Sequence, residues 1–132
     1  MTDTEAAPPK WMTWGGRVLT AVPALMLAAS AGMKLAGRPE VVEAFVNHFG
    51  FGAGALVPIG LLELACTTLY LVPRTAVFGA VLLTGYLGGA VVTHVRIGEG
   101  FAAPLLAGVL VWGGLFLRDG RLRALFPLRQ PS

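Results

Sequence analysis

The sequence predicts an all-α membrane protein: a four-transmembrane-helix bundle with a short amphipathic helix at the membrane surface between the first two spans. Three observations carry that reading. Of 132 residues, 55% are hydrophobic and 13% charged, against roughly 25% charged in a soluble domain, which excludes a water-soluble globule. Four apolar segments, at about 18–37, 54–73, 75–96 and 100–118, are long enough for a hydrocarbon layer of about 30 Å, which takes on the order of 20 residues and at least about 17. Lys and Arg fall between these segments or near their ends rather than along one exposed face.

A polar tail, residues 1–16, precedes a single membrane domain, 17–128. The first span is free of charge from Val18 to Met33, and Lys34 lets it continue to Gly37 by lifting its ammonium to the interface. Ala29-Ser30-Ala31 resembles a signal-peptidase site. Cleavage there would leave three spans and spoil the charge asymmetry described below, so the segment is read as a span. Between Arg38 and Gly50, apolar residues at 41, 42, 45, 46 and 49 make a helical stripe. Pro39 and Glu40 suit its first turn and Gly50 its stop. This amphipathic helix is expected to lie on the outer interface, with Phe45 and Phe49 dipping toward acyl chains and His48 on the polar face. The second and third spans are cleaner, and Pro104 falls in the first turn of the fourth, where a missing donor costs little. A basic tail, 119–132, follows.

Orientation comes from the cations, because cytoplasmic loops keep an excess of them. Lys10, Arg17, Arg74, Arg118, Arg121, Arg123 and Arg129 fall on one side and Lys34, Arg38 and Arg96 on the other. Both termini are therefore expected in the cytoplasm of a bacterial inner membrane. The net charge of +3 serves orientation, and no nucleic-acid partner is expected. A lone Cys66 excludes an intrachain disulfide framework, a CxxC redox pair and a multi-cysteine metal site. Small residues at Ala24, Ala28, Gly32 and Ala36, and at Gly85, Gly88 and Gly89, offer seams for close helix approach. The same spacing serves packing within the chain, a homo-oligomer or a larger membrane subunit.

Between Phe49 and Pro73 the only charged side chain is Glu63. Ionised acids at bilayer depth are costly, so such a residue faces a bundle interior or a wet cavity. Glu63, Cys66, Thr67 and Tyr70 follow at i, i+3, i+4 and i+7, one face of a helix. On the third span Tyr86, Ala90 and Thr93 share a face that His94 adjoins. Counted at 1.5 Å per residue from positions 54 and 96, Glu63 and Tyr86 both lie about 14 Å deep. The bland reading is a neutral Glu63 donating to Tyr86 or to a carbonyl and merely tying two helices together. On that reading Cys66 is packing, Thr67 bonds its own helix, and Tyr70, Trp11 and Trp14 are interface aromatics.

The sharper reading gathers carboxyl, phenol, imidazole and amine into one pocket. Glu63, Tyr86, His94 and Lys34 are the candidate catalytic residues, and Glu63, Tyr86, Thr93 and Trp112 the candidate cofactor-binding ones; Trp112 is deep, and its indole N–H needs a partner. Such a pocket suits a lipophilic small molecule with a carbonyl or hydroxyl head, such as a quinone. His94 or Lys34 would donate toward one oxygen while Glu63 and Tyr86 handle the proton at the other. An intramembrane acid-base enzyme, isomerase or hydrolase, would use the same residues with Glu63 as proton carrier. A non-catalytic subunit would use the glycine seams to dock a partner.

Several strings resemble the DoxX-like membrane proteins of bacteria. They are Lys34-Leu-Ala-Gly-Arg-Pro39, Gly60-Leu-Leu-Glu-Leu64, Leu71-Val-Pro-Arg-Thr-Ala-Val77, Gly79-Ala-Val-Leu-Leu-Thr-Gly-Tyr-Leu-Gly-Gly-Ala90, Thr93-His-Val-Arg96 and Trp112-Gly-Gly-Leu-Phe-Leu-Arg-Asp119. The resemblance covers about residues 15 to 128, and the block from Pro73 to Arg96 is its most specific part. It implies a four-helix protein of the cytoplasmic membrane. The family takes its name from a small subunit associated with a quinol oxidase and a thiosulfate:quinone oxidoreductase system, while most look-alikes have no assigned activity. This chain lacks the paired histidines of bis-His haem ligation and the paired cysteines of a thiol relay.

Overall fold

Apolar runs with capped or proline-marked ends dictate the element order. The computed structural model describes residues 7–129. The helices are α1 (Lys10–Ala36), α2 (Pro39–Glu43), α3 (Leu56–Leu71), α4 (Ala76–Arg96), α5 (Ala102–Arg118) and α6 (Gly120–Arg123). No strand occurs among the described residues. With their short leading turns, Lys10–Ala36, Ala53–Leu71 and Pro73–Arg96 are long and apolar enough to cross a membrane. Ala102–Arg118 is apolar but shorter.

α1 starts directly after Pro9, well before Val18. It stops at Gly37, whose φ of 64° is left-handed and whose N–H closes onto the Lys34 carbonyl. Such a C-terminal residue is cheap only for glycine. The expected surface helix is broken in two: α2 gives way to a π-helical turn at Ala44–His48. Its aromatic stripe turns inward rather than toward lipid. Phe45 is buried and stacks on Phe51, with ring centroids 4.6 Å apart.

The long helices pack in a ring, α1 against α3 and α5, and α4 against α3 and α5. Lipid gives apolar side chains no drive to associate, so close backbone contact must supply the packing. A Cβ at Gly79 would lie 2.2 Å from the Tyr70 backbone nitrogen, and one at Gly114 would lie 2.6 Å from the Thr20 hydroxyl. Of the expected α1 seam only Ala24 is buried. On α1 the buried stripe is Gly16, Thr20, Pro23, Ala24, Leu27 and Ala31, and Ala28, Gly32 and Ala36 face outward. A Cβ at Gly85, Gly88 or Gly89 would meet nothing within 4 Å. Sequence spacing showed small residues on more than one face, and only packing chose between them.

Where α1 begins and α5 ends, the interior is tightly packed. Tyr70 is fully buried, donates to the Val111 carbonyl at 2.7 Å and lies 3.4 Å from the Thr20 hydroxyl. It is therefore a core residue that ties α3 to α5, not an interface aromatic. Arg118 lays its guanidinium over the Tyr70 ring at 5.3 Å. Trp11 and Trp14 are exposed, and Arg17 sits over the Trp14 ring at 5.1 Å.

Candidate functional site

Gly60 positions the site. One helical turn before Glu63 on α3, it lets α1 approach so closely that a Cβ there would sit 3.1 Å from the Lys34 Cβ. Lys34 therefore lies beside Glu63 instead of reaching for the interface. Its Nζ donates to Glu63 Oε2 at 2.7 Å and to the Ser30 hydroxyl at 2.6 Å, and the Tyr86 hydroxyl is 3.5 Å away. Ser30 also donates to Oε2, at 3.3 Å. Glu63 is 1% exposed. Glu63 on α3 thus takes Lys34 and Ser30 of α1 as partners, with the Tyr86 hydroxyl of α4 beside the amine. Pairing of this kind is what an intramembrane charge requires.

Above the pair lies a cavity of about 330 Å³ lined by Lys34, Phe45, Phe49, Phe51, Ile59, Tyr86, Gly89, Ala90, Thr93 and His94. Its volume is in the range of small-molecule sites, about 300–1,000 Å³. Its walls are mostly aromatic and aliphatic, with amine, phenol and imidazole at separate points.

His94 has a definite polarity. Its Nδ1 lies 2.7 Å from the Ala90 carbonyl, which can only accept, so Nδ1 carries the proton and the neutral ring offers Nε2 as an acceptor. The sequence expectation had His94 donating, which only the imidazolium could do here. Phe49 packs edge-on against the ring at 5.3 Å. The Thr93 hydroxyl is turned back to the Gly89 carbonyl at 2.8 Å and is spent on its own helix.

The segment from Phe45 to Phe51 forms the outer wall of this cavity and is fastened to the end of α4. Arg96 donates to the Phe49 carbonyl and lies over the Phe51 ring, while His48 pairs with Glu99. His48 is exposed, as its place on the stripe suggested.

Of the expected residues, Lys34, Glu63 and Tyr86 come together, His94 faces the same cavity as Lys34 and Tyr86, and Trp112 does not join them. Its indole N–H donates to the Thr84 hydroxyl at 2.7 Å, and it lines a separate apolar groove between α4 and α5. Cys66 is buried, and Thr67 donates to the Glu63 carbonyl at 2.8 Å. Phe51 and Ile59 escaped the sequence reading. The recurrence of Phe at 45, 49 and 51 around Gly50 was the available signal.

Residues 18–114 match the family model described as the DoxX-like family. The chain belongs to the DoxX-like family. The match spans all four site residues and Trp112, so the ion pair and cavity of this DoxX-like protein lie within the family's own segment. With its apolar helices, membership makes it a multi-pass membrane protein. Neither a curated protein nor a solved structure gives a match.

Proposed function

We propose that this DoxX-like protein holds one lipophilic small molecule with an oxygen-bearing head, of the quinone type, in the cavity beside Lys34 and Glu63. One observation carries the reading: Lys34, held by a sealed Glu63, faces a cavity of about 330 Å³ that Tyr86 also lines. The roles follow from donors and acceptors. Lys34 or Tyr86 donates to a ligand oxygen, His94 offers Nε2 to a ligand hydroxyl, and the three phenylalanines cover the apolar body. Glu63 holds the Lys34 amine in place.

The setting we propose is four spans, with α5 the fourth, in a bacterial cytoplasmic membrane. Residues 17–128 form the membrane domain, and the cation asymmetry puts the polar and basic tails in the cytoplasm. The α2 segment then lies at the outer face, and ligand enters from that side. A second reading has a specific observation in its favour: carboxylate, ammonium and phenol in mutual reach form a proton-handling set for an isomerase or hydrolase of an apolar substrate.

Titration of purified protein with a short-chain quinone and its quinol tests the proposal. Saturable binding to wild type and at least about tenfold weaker binding to Glu63→Gln, a change of about 1.4 kcal/mol, is the expected result. Equal affinities would remove Glu63 and its pair from the site.

A further inference from the structure

We propose that the groove between α4 and α5 holds one acyl chain of an anionic phospholipid, whose phosphate sits against Arg121 and Arg123. The groove has a volume of about 610 Å³ and is nearly all apolar, from Pro104 at one end to Phe126 at the other. It is separate from the Lys34–Glu63 cavity and independent of the function proposed for it.

Three observations choose the occupant. The first is shape. From Pro104 to Phe116, both in the wall, the groove follows α5 for about 18 Å at 1.5 Å per residue, close to the roughly 15 Å depth of one leaflet. A helix 10 Å across and 18 Å long would need roughly 1,400 Å³, more than twice the space, whereas one extended chain is narrow enough. The second is the missing side chain at Gly88, where a Cβ would meet nothing within 4 Å. The open space there belongs to the groove, and the nearby indole of Trp112 has already spent its donor on Thr84. The interior thus asks for no hydrogen bond.

The third observation is charge at one mouth. Leu122 and Phe126 close the groove where α6 folds back, and Arg121 and Arg123 flank Leu122. Arg123 is fixed there because Nη1 donates to the carbonyls of Phe116 and Leu117, at 2.8 and 3.0 Å. Arg121 is exposed and shares Asp119. Against that single acid stand Arg121 and Arg123, so an anionic headgroup is attracted to the mouth.

The test is lipid retention by the purified full-length chain, quantified per chain after washing, with phosphatidylglycerol and phosphatidylcholine of identical acyl chains. Wild type is expected to keep about one phosphatidylglycerol at roughly tenfold lower lipid concentration than phosphatidylcholine. That preference should vanish in about 1 M salt, where screening acts within about 3 Å, and in the Arg121→Gln/Arg123→Gln variant. Gly88→Leu should lose retention of both lipids with an unchanged melting temperature. Equal retention of the two lipids overturns the proposal. So does an undiminished phosphatidylglycerol complement in Gly88→Leu, or a chain dimer that Gly88→Leu abolishes in place of lipid.

Discussion

The two ends of the polar stripe on α3 make a natural experiment. Tyr70 and Glu63 share one helix face, both are almost fully buried, and both reach across to α1 or α5. Around Tyr70 the packing is tight, with the hydroxyl donating to the Val111 carbonyl, the α4 backbone pressed in at Gly79 and the Arg118 guanidinium over the ring. Around Glu63 the partner is a cation that also faces a cavity. Burial alone therefore does not separate structural from functional polar groups in this bundle. What differs is the void on the Lys34 side of the pair, and on the proposed function that void is where a ligand is accepted.

Substitutions in the two regions sharpen that difference. The largest stability effect is expected for Lys34→Met, which strands a buried carboxylate and should cost about 3–5 kcal/mol. Adding Glu63→Met should restore most of it, as thermal unfolding in detergent would report. A double variant no better than the single would mean that the pair is not the partner system described. Next is Gly79→Val, whose Cβ collides with the Tyr70 backbone; overpacking at such a site costs about 1–3 kcal/mol, and lowered melting with unchanged ligand affinity per folded molecule is expected.

Tyr70→Phe leaves the Val111 carbonyl without its donor and should cost about 1–2 kcal/mol. Tyr86→Phe makes the contrast: stability within about 0.5 kcal/mol of wild type, yet ligand affinity reduced about fivefold, roughly one hydrogen bond. If Tyr86→Phe instead behaved like Tyr70→Phe, destabilising without touching affinity, the two regions would not differ in kind.

The smallest effect lies outside both regions. Asp119 accepts from the Arg121 backbone N–H at 2.9 Å, capping α6, and the hydrogen bond from the Arg121 side chain holds its carboxyl below the usual carboxylate range. A lowered folded-state pKa stabilises above the unfolded value and is lost on acidification through the folded one. Asp119→Ala should thus cost about 0.5 kcal/mol at neutral pH, shrinking below about pH 4. Comparing the melting temperatures of the two proteins at both pH values measures it.

Much of this architecture was legible in the sequence for one reason: hydropathy reports length directly. The segment expected at 75–96 is α4, Ala76–Arg96. Gathering Lys34, Glu63 and Tyr86 was also within reach, because depth counting puts a buried acid level with a phenol. The direction of Lys34 was not legible, since a lysine that rises to the interface and one that turns to an acid leave the same pattern in the chain. Gly60, which decides between them, reads as one small residue among many. Tyr70 was misjudged because distance along a helix says how deep a ring lies and nothing about whether another helix covers it. The π-helical turn at Ala44–His48, which swings Phe45 and Phe49 onto the cavity, has no period of its own to read.

The proposed function stands or falls on what occupies the space between Phe49 and Tyr86. A density map of the protein purified in its native lipid, with wild type and Glu63→Gln compared, tests this directly. The account predicts ordered, elongated density in the wild-type cavity, ending within hydrogen-bond distance of Lys34 or Tyr86 and weakened in the variant. A cavity filled by repacked phenylalanine side chains in both proteins would contradict it.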